Sequence, residues 1–456
     1  MQSRIVRAID TGPRLRRSVT LIQAVMYGIG LILGAGIYVL VGDVAAIAGN
    51  AMWISFLLAA VMASLTGLSY AELSSVFPKS AAEYVYVKAG FGNNFLALFI
   101  GCLTIFVAIT SAATVAIGFS GYLAVLLPEF PPILYAIGLV LALSFLNYYG
   151  IRESVWVNSI FTLVEVSGLL IIIAVGLSIG SVADTNYFEM PSIAYSSHAA
   201  IISTILASTV LVFFAYYGFE NISNISEETK NPTRTIPRAL VFSILVTTII
   251  YILVAISVVA LVGWEELSNS NAPLALAASK ALGSNGIIVL TILALFATSN
   301  TVLMMLISGS RIIFGIAKYD EAIPTILAEV HSSRKTPWLA TIFTMAFTLV
   351  TIILYSGKLA DVASISVFSI LVVFAFVNLS VISLRFKQPR LQRPFMSPFR
   401  VKKLPILPVL GLVMIIVTML QFNPHVISVT FVPLISIIIL CLILTKRKID
   451  QTQNQK

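Results

Sequence analysis

Tyr27-Gly-Ile-Gly-Leu-Ile-Leu-Gly-Ala-Gly36 and Phe213-Phe-Ala-Tyr-Tyr-Gly-Phe-Glu220 decide how this chain folds. Each lies inside an apolar run long enough to cross a bilayer. The first places four glycines in mid-run, the second Gly218 and an acid. Glycines at such spacing also serve close helix packing; Gly34-Ala35-Gly36 together with an acid in the partner run points instead to two broken helices. A break exposes backbone groups. The N-terminal end of the outer half of the first helix, near Ala35 to Ile37, carries free N–H groups and partial positive charge, which favour a carboxylate. The C-terminal ends at Leu31 to Leu33 and Phe213 to Ala215 expose carbonyls, which accept hydrogen bonds from an ammonium group. One point in mid-membrane thus offers donors and acceptors without a charged side chain. Its natural complement is a zwitterion, an α-amino acid. Phe214, Tyr216, Phe219 and Ile109 around it are bulky and apolar, which suits a small or medium neutral side chain.

The rest of the chain is built for lipid. Of 456 residues, 59% are hydrophobic and only 10% are Asp, Glu, Lys or Arg, where a soluble domain has about 25% charged residues. Mean hydropathy is +1.00. So few charges cannot cover a water-facing surface, which excludes a soluble enzyme, a disordered protein and a collagen-like fibre. Cys102 and Cys441 sit in apolar runs, against a disulfide framework. His198, His331 and His425 are scattered, and no His/Cys/Asp/Glu cluster has metal-ligand spacing. No metal, cofactor or catalytic residue is expected.

Twelve apolar runs lie at about 18–41, 50–75, 94–127, 132–149, 155–180, 200–225, 237–262, 286–317, 338–356, 361–386, 404–422 and 426–445. In hydrocarbon the backbone must satisfy itself, and runs this long and uniformly apolar are helices rather than barrel strands. With both termini inside, all of the 28 Lys and Arg except Lys280 and Lys358 fall in cytoplasmic segments, the positive-inside pattern. The net charge of +9 then serves topology and contact with anionic lipid, not nucleic acid. No short apolar segment with a cleavage site follows the basic stretch Met1 to Arg17, so no cleaved signal peptide is expected. The first and sixth spans, both interrupted, cross in opposite directions. That predicts an inverted five-plus-five repeat: a basic segment (1–17), spans one to five (18–180), spans six to ten (200–386), two added spans (404–445) and a cytoplasmic tail (446–456).

Acids in such a chain are expensive. Glu165 stands near the centre of the fifth span, where an ionised carboxylate costs at least ~2.5 kcal/mol. It is suited to carry a coupling proton; the plainer reading is a protonated Glu bonded to a neighbouring helix. Glu220 follows the break in the sixth span and either gates the site or acts as a helix-start acid. Thr298, Ser299 and Asn300 form a polar triplet in the eighth span, set to contact substrate or a cation, or to bond back to their own helix.

At these residues the chain resembles the amino acid–polyamine–organocation superfamily. The matching stretches are Gly30 to Ile37, Tyr70 to Lys79, Glu83-Tyr-Val-Tyr86, Phe213 to Glu220, Glu228-Thr-Lys-Asn-Pro232 with Ile236-Pro237, Ser310-Arg311 and Thr336-Pro-Trp338. The resemblance implies an all-α membrane protein with the leucine-transporter-like five-plus-five fold plus two C-terminal helices, helices one and six discontinuous. It also implies alternating access, with the substrate held by Ile32, Leu33, Gly34, Ala35 and Gly36 and by Phe213, Phe214, Ala215, Tyr216 and Phe219. Glu165, Glu220 and Ser299 are the expected coupling and gating residues. Several relatives carry a lysine where this chain has Glu165, its ammonium taking the place of a sodium ion. The charge is reversed here, so a proton, or alternatively sodium, is the expected coupling ion. Ala81-Ala82 replace the usual Gly-Gly.

The expected function is secondary transport of neutral amino acids across the plasma membrane by symport or exchange. A cationic amino acid or polyamine exchanger is the alternative, and a non-transporting nutrient sensor on the same fold is the alternative from another class. A membrane enzyme lacks its carboxylate, histidine or metal cluster here, and a channel would spread its polar groups over several spans.

Overall fold

The structure, a computed structural model, describes residues 15–179, 182, 184–270, 273–283, 286–320, 322–355 and 359–454. Nearly all of it is helix. In chain order the helices are α1 (Leu21–Ala48), α2 (Met52–Val76), α3 (Ala82–Phe91), α4 (Asn94–Leu126), α5 (Pro132–Tyr149), α6 (Ile151–Ile179), α7 (His198–Tyr216) and α8 (Asn221–Asn224). Then follow α9 (Pro232–Val262), α10 (Trp264–Ser268), α11 (Pro273–Leu282), α12 (Gly286–Tyr319), α13 (Trp338–Tyr355), α14 (Leu359–Lys387), α15 (Ile406–Met419) and α16 (Pro424–Asn454). Among the described residues ten helical segments are long and apolar enough to cross a membrane, and Trp338–Leu354 and Ile406–Met419 are shorter apolar helices. The chain is thus a multi-pass membrane protein. The basic block after α14 holds a two-stranded hairpin, β1 (Arg400–Val401) with β2 (Leu404–Pro405), antiparallel with Arg400 opposite Pro405.

Local sequence sets the helix ends. Thr20 and Gln23 form a reciprocal capping box at the start of α1, while Asn93 and Ser197 cap α4 and α7 through their side chains. Pro132 and Pro232 open α5 and α9 at positions where a missing N–H costs nothing.

Inside hydrocarbon the helices gain little from excluding water, so small residues and shape complementarity hold them together. A Cβ on Gly176 of α6 would stand 2.8 Å from the Ser257 carbonyl of α9, so the two backbones almost touch. Tyr70, Phe213 and Phe219 gather around Phe374, with ring centroids 5.3–6.3 Å from it. The helices α1, α2, α7 and α9 pack on one another, and α1 also meets α6 and α12; α4 packs on α12 and α14. The last helix, α16, lies at the edge against α4 and α14.

Candidate substrate site

The two stretches that open the sequence argument are both broken. In α1 helical geometry fails at Gly34 (φ −15°, ψ −151°). The helix α7 ends at Tyr216, residues 217–220 form a turn, and α8 resumes at Asn221. Gly218 carries φ +124°, a conformation that a side chain would strain. The breaks face each other. A Cβ on Gly36 would lie 2.7 Å from Ala215 Cα, and one on Gly218 would lie 2.9 Å from Leu31 Cγ. Two bulkier residues at these points would push the segments apart.

Carbonyls released by the breaks find a shared partner. The Tyr251 hydroxyl, from α9, reaches the Ile32 carbonyl and the Ala215 carbonyl, the latter at 3.0 Å. A hydroxyl has one proton to give, so at any moment it donates to one of the two. The other is open to a second donor.

Beside this point lies a cavity of about 40 Å³. Leu31, Ile32 and Gly36 of α1 line it with Phe214, Ala215 and Tyr217. Ser111, Thr114 and Val115 of α4, Thr301 and Met305 of α12, and Ala363 and Ser366 of α14 complete the wall. Among the described residues no charged side chain lines it. Of the residues expected at the site, Ile32, Gly36, Phe214 and Ala215 therefore meet at one cavity. Leu33 is buried in packing beside them. Gly34 backs onto Thr301, whose Oγ1 would lie 2.1 Å from an added Cβ. Ala35 has a side chain outside the described residues. Phe213 and Phe219 turn to Phe374, and Tyr216 packs edge-on against Tyr251 at 5.1 Å. Ile109 faces a separate groove. Sequence reasoning missed the hydroxyls of Ser111, Thr114, Thr301 and Ser366. The spacing of Ser111 and Thr114, one helical turn apart in an apolar span, was the available signal.

Glu165 is fully buried on α6. Its Oε1 accepts from Asn300 Nδ2 at 3.0 Å; Oε2 has no hydrogen-bond partner among the described residues. Asn300 also bonds Asn158 and Thr162, and Thr162 donates to the Met26 carbonyl of α1 at 3.2 Å. The polar triplet therefore divides. Asn300 serves Glu165, Thr298 donates back to the Ala294 carbonyl, and Ser299 is buried two residues from Thr301. Glu220 closes the α7 break: Oε2 accepts the Gly218 N–H at 3.0 Å and Oε1 accepts from Asn221 Nδ2 at 2.8 Å.

Beyond Glu220 one face of the molecule is tied shut. Arg311 holds Glu228 with two parallel bonds of 2.9 Å, both side chains fully buried, and reaches Asn147 and Ser310. Lys318 bonds Glu227 at 2.8 Å. Ser18 and Val19 donate their N–H groups to the Glu228 carbonyl, and Lys230 N–H donates to the Val19 carbonyl. Glu83 of α3 is buried against Tyr70 (3.2 Å) and Asn224 (3.2 Å). Burial pushes its carboxyl up to about 7 against those hydrogen bonds.

The family described as Amino acid permease matches residues 19–445. The Branched-chain amino acid permease BcaP of Bacillus subtilis (strain 168) is 30% identical over 419 residues, 86% of each chain. The Methylthioribose transporter of the same organism is 30% identical over 418 residues, 87% of this chain and 86% of its own. The vacuolar Cationic amino acid transporter 2 of Arabidopsis thaliana is 29% identical over 83% of this chain, which spans 61% of that longer protein. Relatives of this kind move solutes rather than transform them, and with a match over nearly its whole length the chain belongs to the amino acid permease family of the amino acid–polyamine–organocation superfamily.

Proposed function

We propose that this protein is a secondary active transporter carrying neutral α-amino acids across the plasma membrane, with twelve spans in an inverted five-plus-five repeat and both termini cytoplasmic. One observation carries the reading: two helix breaks meet at a cavity that no charged side chain lines. The substrate carboxylate sits on the N–H groups that open the outer half of α1, near Ala35 to Ile37. Its ammonium takes the Ile32 and Ala215 carbonyls that face the Tyr251 hydroxyl. The side chain lies among Val115, Phe214, Met305 and the hydroxyls of Ser111 and Thr114. That wall of short apolar and hydroxyl groups suits an uncharged side chain of modest size.

Coupling falls to Glu165. A buried carboxyl with one oxygen unbonded is held neutral most cheaply by a proton. Its Asn300–Thr162 contacts end on the α1 backbone at Met26, about two turns before the break at Gly34, which couples its protonation to the helix that carries the substrate site. Transport then alternates between outward and inward openings, the ties at Glu227 and Glu228 closing the inner side.

A cationic amino acid exchanger is favoured only by the names of some relatives. Glu220, the acid in the α7 break, has both oxygens engaged by the break itself. The deciding experiment is purified protein in liposomes, offered a panel of labelled neutral and cationic amino acids under imposed proton and sodium gradients. Accumulation of a neutral amino acid driven by a proton gradient is expected. Uptake of arginine or lysine alone would overturn the substrate reading, sodium dependence would overturn the coupling reading, and binding without flux would make the protein a sensor.

A further inference from the structure

Beside the substrate cavity, α4, α12, α13, α14 and α16, with Ile323 and Leu327, line a second cavity of about 630 Å³. Its walls are hydrocarbon: Ile105, Phe106, Phe343, Phe347, Ile365 and Leu440 among others. The hydroxyls on it are already committed to protein. Thr110 donates to the Phe106 carbonyl at 2.8 Å, Thr351 to the Phe347 carbonyl at 2.8 Å, and Ser436 to the Val432 carbonyl at 2.9 Å. Water in such a space needs two to four polar partners. This groove does not supply them, so its matching occupant is apolar.

The shape narrows the choice. On α16 the lining positions 429, 432, 433, 436, 437, 440 and 444 recur every three or four residues and form one stripe along the helix. From Val429 to Leu444 the stripe runs about 22 Å at the helical rise of ~1.5 Å per residue. One leaflet of the ~30 Å hydrocarbon core is about 15 Å deep, so an extended acyl chain fits within the slot's length. Large apolar side chains on the stripe are left open to it: Val432 is 66% exposed and Leu440 47%. Past Leu444 the sequence continues Thr445-Lys446-Arg447-Lys448. A basic run at the end of a span lies at the headgroup layer and attracts anionic lipid.

We propose that this groove is a phospholipid site: one acyl chain of an anionic membrane phospholipid lies along the α16 stripe, with its headgroup at the Lys446 end of that helix. The site adjoins the substrate cavity. Thr110 lines the groove, and its Oγ1 lies 2.7 Å from Oγ of Ser366, which lines the cavity. A bound chain therefore braces α14 where it meets substrate.

The test is photolabelling of the full protein in phosphatidylcholine vesicles with a trace of phosphatidylglycerol carrying a diazirine in mid-chain. Labelled peptides are mapped by mass. Labelling at 347–351 and 436–444 is expected to exceed that on the outward stripe of α6, at Leu163 and Leu170, at least ten-fold. Ser436→Trp fills the slot and should cut groove labelling at least five-fold with α6 labelling unchanged. Val432→Trp, on the same stripe, gives the same result should the first variant fold poorly. Gln at all three of 446–448 should abolish preference over an otherwise identical phosphatidylcholine probe. Groove labelling equal to that of α6, or unaltered by both filling variants, overturns the proposal. So does crosslinking of the groove to a second copy of the chain. Equal labelling of the wild type by both probes overturns the assignment of an anionic headgroup.

Discussion

Replacing Gly36 by Ala adds one carbon where α1 and α7 come closest. The new Cβ would stand 2.7 Å from Ala215 Cα and 3.0 Å from Ala215 Cβ, whereas carbon atoms rest at ~3.5–4.0 Å. The obstacle is backbone, which cannot rotate aside, so the two segments must part by roughly 0.8 Å. Overpacking of this kind costs about 1–3 kcal/mol. The cost falls on the geometry that aims both breaks at one point, so the dissociation constant for the amino acid selected in the uptake panel should rise about 5- to 150-fold. Gly118→Ala is the internal control. It lies within α4 with nothing inside 4 Å of an added Cβ, and the same change there should stabilise the helix by up to ~1 kcal/mol. Equilibrium binding of the labelled amino acid, with thermal unfolding of each variant alongside, separates the two. Wild-type affinity in Gly36→Ala would refute the crossing of two breaks as the binding site, and wild-type affinity in Gly36→Leu would do so more forcefully.

Glu165→Gln is expected to abolish proton-driven accumulation in liposomes while leaving equilibrium binding within a few-fold; unchanged pH-driven uptake removes Glu165 from coupling. Arg311→Ala leaves Glu228 charged and unpaired in a fully buried site, so a loss of about 3–5 kcal/mol in unfolding stability is expected. Arg311→Lys should not restore it, because one ammonium cannot reproduce two parallel bonds; full recovery of the melting temperature in the lysine variant would contradict this. Glu83 is raised to about 7 from the ordinary 4.5, so the folded state holds a proton that the unfolded chain releases at lower pH. Its stabilising contribution is complete at low pH and fades as pH rises through about 7. The melting temperature should accordingly fall between about pH 4.5 and pH 7 and level off above that, with a shallower slope in Glu83→Gln; parallel slopes would show that other groups carry the effect.

The breaks were legible because glycine writes them: Gly34 and Gly218 stand in the sequence as they stand in the fold. The helix start at Pro132 was equally open to reading; the seventh apolar run starts only at about 237, whereas its helix begins at Pro232. The partners of these segments were not. Phe213 and Phe219 look like substrate neighbours until Phe374, some 150 residues further on, takes up both rings. Ser111, Thr301 and Ser366 reach the cavity from three spans, yet locally they resemble Thr104 and Thr348, which only bond back to their own helices. Nothing short-range separates a hydroxyl that faces a cavity from one that faces its own backbone. Asn300 was read with its neighbours and proved to serve an acid on another helix.

The turn at residues 226–230 has a consequence for leakage. Ser18 and Val19 pair with it through the backbone, Arg311 and Lys318 grip its two glutamates, and Ser80 N–H donates to Glu227. Stretches far apart in the chain are thus knotted to five consecutive residues. Loosening any one of them leaves the others holding the turn in place; on the alternating-access cycle proposed above, this face would then part as a unit and leave ions no partial crack between cycles.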